Sequence, residues 1–157
     1  MSRVLYLSAS IANAAMNDRL RASLPPRYEL ILPQDFTPDV PHAELPRAIV
    51  DRCLEAMERC DAGVLMLDGF GIDCAMEAGW LRARGTPVIG LAAASTHFLR
   101  HWMVKGCLDA LVCLDPAVAA AVEADAMLAP LPRALSPGWE GVADAFDAVL
   151  PWSAEGT

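Results

Sequence analysis

Ala62-Gly63-Val64-Leu65-Met66-Leu67 is six residues without a charged or hydrogen-bonding side chain, closed by Asp68-Gly69. The run is too short for a packed helix. An unbroken apolar segment of this length, ended by a turn signal, fits a strand covered on both faces. Such strands belong to parallel sheets, because the crossovers between parallel strands lay helices on either side.

The segments around it agree. Upstream, Arg3 to Ser8 (RVLYLS) reads as a first strand. Asn13 to Ser23 follows with helical spacing and stops at Pro25-Pro26. Tyr28 to Leu32 is a second strand, residues 33–45 a proline-rich loop, and Leu45 to Arg59 a helix with Ile49, Leu54 and Met57 inward. Downstream, a helix from Asp73 to Arg84 ends at Gly85-Thr86-Pro87, before a strand from Val88 to Ala92. A short helix (Ser95 to Lys105), a strand (Leu108 to Leu114) and a helix (Ala117 to Met127) come next. A stretch with Pro130, Pro132 and Pro137 leads to a last helix, about Trp139 to Leu150. Strand-helix alternation without repeats predicts one α/β domain over residues 1–157. The expected form is three-layered and flavodoxin-like or Rossmann-like, with five parallel strands in the order 2-1-3-4-5 and right-handed crossovers.

Composition narrows the function classes. Of 157 residues, 55% are apolar and 20% charged, enough core material to exclude disorder. The net charge is −8, and Lys105 is the only lysine. Nucleic-acid polymers and anionic membranes need clustered cations, so neither is an expected partner. No apolar run reaches spanning length. The first strand follows directly on Met1-Ser2, so no leader is expected, and five cysteines form no Cys-x-x-Cys pair. A cytoplasmic protein with reduced thiols is expected, its cysteines acting as small core hydrophobes.

In the order 2-1-3-4-5 the chain reverses direction between the first and third strands, and ligands bind outside the carboxyl ends of the strands at that point. The residues there are Tyr6, Ser8 and Ser10 on one side, and Asp68, Gly69, Phe70, Asp73 and Glu77 on the other. No glycine follows the first strand, which excludes a dinucleotide loop. No acidic residue follows it either, as a magnesium-dependent phospho-receiver needs. Neither a metal nor an organic cofactor is expected. His97 and His101 stand at i, i+4 spacing, but no third ligand accompanies them, and His97 reads as a structural or surface histidine. Glu77 is the only charged group between Asp73 and Arg82. It either complements the positive end of the helix dipole or faces the crevice, where the dipole would keep a nucleophilic carboxylate ionised.

Several short pieces, in order, resemble the nucleoside 2-deoxyribosyltransferase family and its nucleotide N-glycosidase relatives. They are Tyr6-Leu7-Ser8-Ala9-Ser10, Asn17-Asp18-Arg19-Leu20, Leu32-Pro33-Gln34-Asp35, Asp61 through Asp68-Gly69, Glu77-Ala78-Gly79 and Gly85-Thr86-Pro87-Val88. The resemblance implies a Glu77 nucleophile held by Tyr6, with Asp73 or Asp68 as the second acid. It implies substrate contacts from Ser8, Ser10, Gly69 and Phe70, and a homodimer or larger homo-oligomer in which His101 and Met103 reach a neighbour's site. The expected reaction is transfer of a 2-deoxyribosyl group between bases, with small-molecule nucleosides or nucleotides and nucleobases as partners. The alternatives are N-glycoside hydrolysis or binding without catalysis. Three departures stand out: Ala9-Ser10 replaces Gly-Pro, Cys53 stands where the family often has Asp, and the interval from Asp73 to Glu77 is two residues shorter.

Overall fold

The computed structural model describes residues 2–150. All six of its strands run parallel in one sheet, in the order β2-β1-β3-β4-β5-β6. They are β1 (Arg3–Ser8), β2 (Tyr28–Ile31), β3 (Ala62–Met66), β4 (Val88–Ala92), β5 (Ala110–Cys113) and β6 (Arg133–Leu135). The helices are α1 (Ala14–Ser23), α2 (Leu45–Arg59), α3 (Ile72–Ala83), α4 (Trp102–Cys107), α5 (Pro116–Ala124) and α6 (Val142–Val149). The expected order holds, but the sheet has six strands rather than five. The addition lies in the proline-rich stretch, where Arg133–Leu135 pairs with Leu111–Cys113 at the sheet edge. Pro132 and Pro137 stand outside the paired residues, so neither costs the ladder a donor.

Side chains alternate across each strand, so the sheet feeds two cores. Leu5, Leu7, Val64, Met66, Ile89 and Val112 face one core, closed by Leu20 of α1 and Val142, Phe146 and Val149 of α6. Tyr6, Leu65, Leu67, Leu111 and Cys113 face the other, closed by α2, α3, α4 and α5. Glu77 belongs to α3, so the face of β1 that carries Tyr6 and Ser8 is the face that α3 covers.

Two local features set how closely α3 lies. Ala78 is fully buried against the sheet, whereas nothing stands within 4 Å of where a Gly79 Cβ would be, so of these two small residues only Ala78 provides a close contact. Across the strand pair, Gly63 is the register partner of Tyr6, and a Cβ on it would come within 2.4 Å of Leu81 Cδ1. The missing side chain lets Leu81, one turn beyond Glu77, settle beside Tyr6.

The expected single helix from Ser95 to Lys105 is two pieces, a 3-10 turn at His97–Arg100 and then α4. They separate at His101, whose backbone leaves helical geometry (φ −103°, ψ 89°). The cause is packing: Phe98 is fully buried and Val104 nearly so, in the same core. Six residues of continuous helix would place them about 240° apart. The only lysine, Lys105, is buried and donates to Asp125 Oδ2 at 2.5 Å, so it offers no surface cation.

Filling the Gly63 gap tests this arrangement. Gly63→Val should lower the unfolding free energy by about 1–3 kcal/mol, read by chemical denaturation, as overpacking in a formed core does. An unchanged midpoint would mean that α3 does not rest on Gly63.

Candidate active site

Tyr6 and Ser8 sit two residues apart at the carboxyl end of β1, so their hydroxyls point to the same face. Glu77 stands in the second turn of α3 directly over them. The Tyr6 hydroxyl donates to Glu77 Oε1 at 2.7 Å, and the Ser8 hydroxyl donates to Oε2 at 2.6 Å. Both donors are buried, Tyr6 fully and Ser8 to 1% exposure. Hydroxyl-to-carboxylate bonds of this length are charge-assisted and strong.

Burial pushes the Glu77 carboxyl above its ordinary range. The Ser8 and Tyr6 bonds pull it down, and Asp73 one turn earlier pushes it up again. The net direction is upward, with desolvation the largest cause. The Tyr6 phenol is driven strongly upward, first by burial and then by the Glu77 charge, which fixes it as a donor. The Cys53 thiol on α2 interacts with the Tyr6 hydroxyl and is itself pushed up by burial, so it faces the site as a neutral group.

Glu77 opens onto a cavity of about 290 Å³ between α2 and α3. Ile49, Val50, Cys53, Leu54 and Met57 form the α2 wall, and Asp73, Met76 and Trp80 complete the α3 wall. Its only charged groups are the two carboxylates. The sequence reading left the second acid open between Asp68 and Asp73, and the structure separates them. Asp73 lies in the first turn of α3, exposed, on the cavity that Glu77 lines. Asp68 is buried and fully engaged: its carboxylate accepts the amides of Ala93 (2.6 Å), Ala94 (2.9 Å) and Ser95 (2.8 Å). Its carbonyl accepts Asn13 Nδ2 at 2.5 Å. Asp68 thus ties together the loops that follow β1, β3 and β4.

The remaining candidates fall elsewhere. Ser10 caps the turn after β1 by accepting the Ala12 amide at 3.2 Å. Gly69 takes a left-handed φ of 63° that lets the chain turn after Asp68. Phe70, His101 and Met103 line a second, open groove of about 790 Å³ on the other flank of α3, which shares Met76 with the first cavity. Phe70 meets the His101 ring edge-on at 5.2 Å. His97 lies 5.2 Å from His101 and packs against Arg100, and among the described residues no three His, Cys, Asp or Glu converge as a metal site. Around this groove Ile72, Met76, Trp102 and Met103 are 69–84% exposed. Trp80 does not join this surface; it lines the Glu77 cavity, with Arg84 over its ring at 4.8 Å. The sequence reading missed the apolar α2 wall as part of the site. Its only signal was Cys53, at a position where the family often has Asp.

No curated protein matches the sequence at a significant level. Among solved structures, a 2-deoxyribosyltransferase from Bacillus psychrosaccharolyticus superposes with a TM-score of 0.58 at 17% identity, covering 84% of this chain and 99% of that one. A conserved protein from Enterococcus faecalis V583 gives a TM-score of 0.55 at 20% identity, covering 96% and 100%. A CMP N-glycosidase from Clostridium botulinum gives 0.46 at 14% identity, covering 92% and 98%. The two higher-scoring likenesses show a shared fold. The sequence profile of the nucleoside 2-deoxyribosyltransferases matches residues 5–134, most of the chain, from β1 into β6. The chain belongs to the nucleoside 2-deoxyribosyltransferase family.

Proposed function

We propose that this protein transfers a 2-deoxyribosyl group from one nucleobase to another, with Glu77 as the nucleophile. The observation that carries the reading is a carboxylate held at both oxygens by Tyr6 and Ser8 and facing a cavity that also holds Asp73. A Glu77 oxygen bonds C1′ as the C1′–N bond breaks, and the electron pair leaves with the base nitrogen. Asp73 protonates that nitrogen. A second base then attacks C1′ through its nitrogen and returns a proton to Asp73, and the C1′–O electron pair goes back to Glu77. Two displacements on the same carbon retain configuration, as in retaining glycosidases. A 2-deoxy sugar suits this route because it lacks the electron-withdrawing hydroxyl that makes the cationic transition state harder to reach.

The working form in this proposal is a cytoplasmic homodimer. Among the described residues no helix is long and apolar enough to cross a membrane. The groove beside α3 exposes Ile72, Met76, Trp102 and Met103 together, and an apolar patch of that kind calls for a cover. A second copy laid over it would bring His101 and Met103 toward the neighbour's Glu77.

Three outcomes follow. With a 2-deoxynucleoside and a free acceptor base, the protein should form the exchanged nucleoside. Base release that ignores the acceptor would make it an N-glycosidase, and thermal stabilisation by the nucleoside without base release would make it a binding domain. Glu77→Ala should lower turnover at least about 1000-fold with the fold intact, and Tyr6→Phe about 10- to 100-fold, the loss of one bond to a charged group. Asp73→Asn should cost about 100-fold or more in rate at unchanged melting temperature, whereas Asp68→Asn should first lower the melting temperature. The reverse ranking would restore Asp68 as the acid. Light scattering should give twice the 16.8 kDa chain mass, and Trp102→Asp should halve it; a parent monomer would count against a shared site.

A further inference from the structure

The Ser8 hydroxyl has one proton and, among the described residues, two oxygen acceptors. One is Glu77 Oε2 at 2.6 Å, and the other is the backbone carbonyl of Cys74 at 3.4 Å, in the preceding turn of α3. With Ser8 exposed to only 1%, water cannot readily satisfy its hydroxyl; among the described residues these two are its oxygen acceptors, and the Cys74 thiol beside it, itself pushed up by burial, is a weaker partner. A carboxylate accepts far better than a carbonyl, which accounts for the shorter distance. That preference fades once Glu77 loses its charge, because an ester oxygen is a weaker acceptor than a carboxylate. Among the described residues Tyr6 has no comparable second acceptor: its hydroxyl donates to Glu77 Oε1 and meets the Cys53 thiol beside it.

Building on the proposed Glu77 chemistry, we propose that Ser8 is a positioning residue whose hydroxyl follows the charge on Glu77. It donates to Oε2 while the carboxylate is free and turns to the Cys74 carbonyl while Glu77 is esterified to the sugar. The rotation makes and breaks no covalent bond and moves no proton between residues. It has two chemical consequences. The donated bond lowers the basicity of the free carboxylate, which makes Glu77 a better leaving group when the second base attacks. The alternative acceptor keeps the buried hydroxyl bonded in the ester state, so forming the ester does not orphan a polar group. Ser8 therefore acts mainly on the second half of the reaction, the release of the sugar from Glu77. Tyr6 holds the carboxylate throughout.

Replacing Ser8 tests this with readouts that a merely structural residue would not move. Ser8→Ala removes a bond that lowers the Glu77 pKa, so the Glu77 pKa must rise. The acid limb of the kcat/KM profile, below which Glu77 is protonated and inert, should move up by about one pH unit. A ¹³C carboxyl titration of Glu77 without substrate should show the same shift. Because a more basic carboxylate leaves less readily, the pre-steady-state burst of released base should grow several-fold while the steady rate falls. Ser8→Cys, nearly isosteric with a weak donor, should lie between the two and serves if the alanine variant folds poorly. An unmoved ¹³C titration in both variants would overturn the Ser8 assignment, whatever the activity. A parent that releases no base would overturn the glycosyl-transfer reading and this inference with it. Glu77-dependent turnover with an unchanged burst and acid limb in Ser8→Ala would overturn this inference alone.

Discussion

A carboxylate taken out of water must find hydrogen-bond donors or give up its charge, and much of this structure serves to supply donors to one carboxylate. Glu77 lies on a largely apolar helix, over a sheet whose central strands are covered on both faces. Its only donors among the described residues are two hydroxyls from alternate positions of β1. That geometry requires β1 to end beside α3, Tyr6 and Ser8 to share a face, and α3 to lie close enough for contacts under 3 Å. The parallel order with β1 next to β3 meets the first requirement, strand alternation the second, and Gly63 with Ala78 the third.

Opposing influences on Glu77 set its chemistry. Burial and Asp73 raise its pKa, and the two hydroxyls lower it. In the proposed reaction, where Glu77 must attack and then leave, such a balance is an advantage: a fully solvated carboxylate would be a weak nucleophile, and one buried without donors would be protonated and inert. The neighbouring groups leave that balance undisturbed. Cys53 is uncharged, and the one buried lysine is committed to Asp125 far along the chain. In a chain of net charge −8, the described residues lining the cavity include no cation that could pin Glu77 in a salt bridge.

Much of this was legible in the sequence, and what was not has identifiable causes. β1, α2 and β4 were legible to the residue because apolar runs or helical spacing end there at clear stop signals. β6 was not, because three residues between prolines carry too little pattern to show alternation; their pairing with β5 is a tertiary fact. The break at His101 arises from two side chains seeking one core and leaves no mark in composition. Tyr6 and Glu77 could be placed together from topology. The assignment of Asp68 could not be made, because its partners are backbone amides some 25 residues downstream, and amides carry no sequence signature. Ser8 was legible as a residue of the site but not as a partner of Glu77, since its hydroxyl could equally have faced a ligand.

The central claim is that Glu77 bonds directly to the sugar. Quenching the protein in acid during turnover of a 2-deoxynucleoside, digesting it and mapping added mass by tandem mass spectrometry tests this most directly. The account predicts a single deoxyribosyl adduct on the peptide spanning Ile72 to Arg82, localised to Glu77. An adduct localised to Asp73 or another residue, or rapid base release with no covalent adduct at any time, would contradict it.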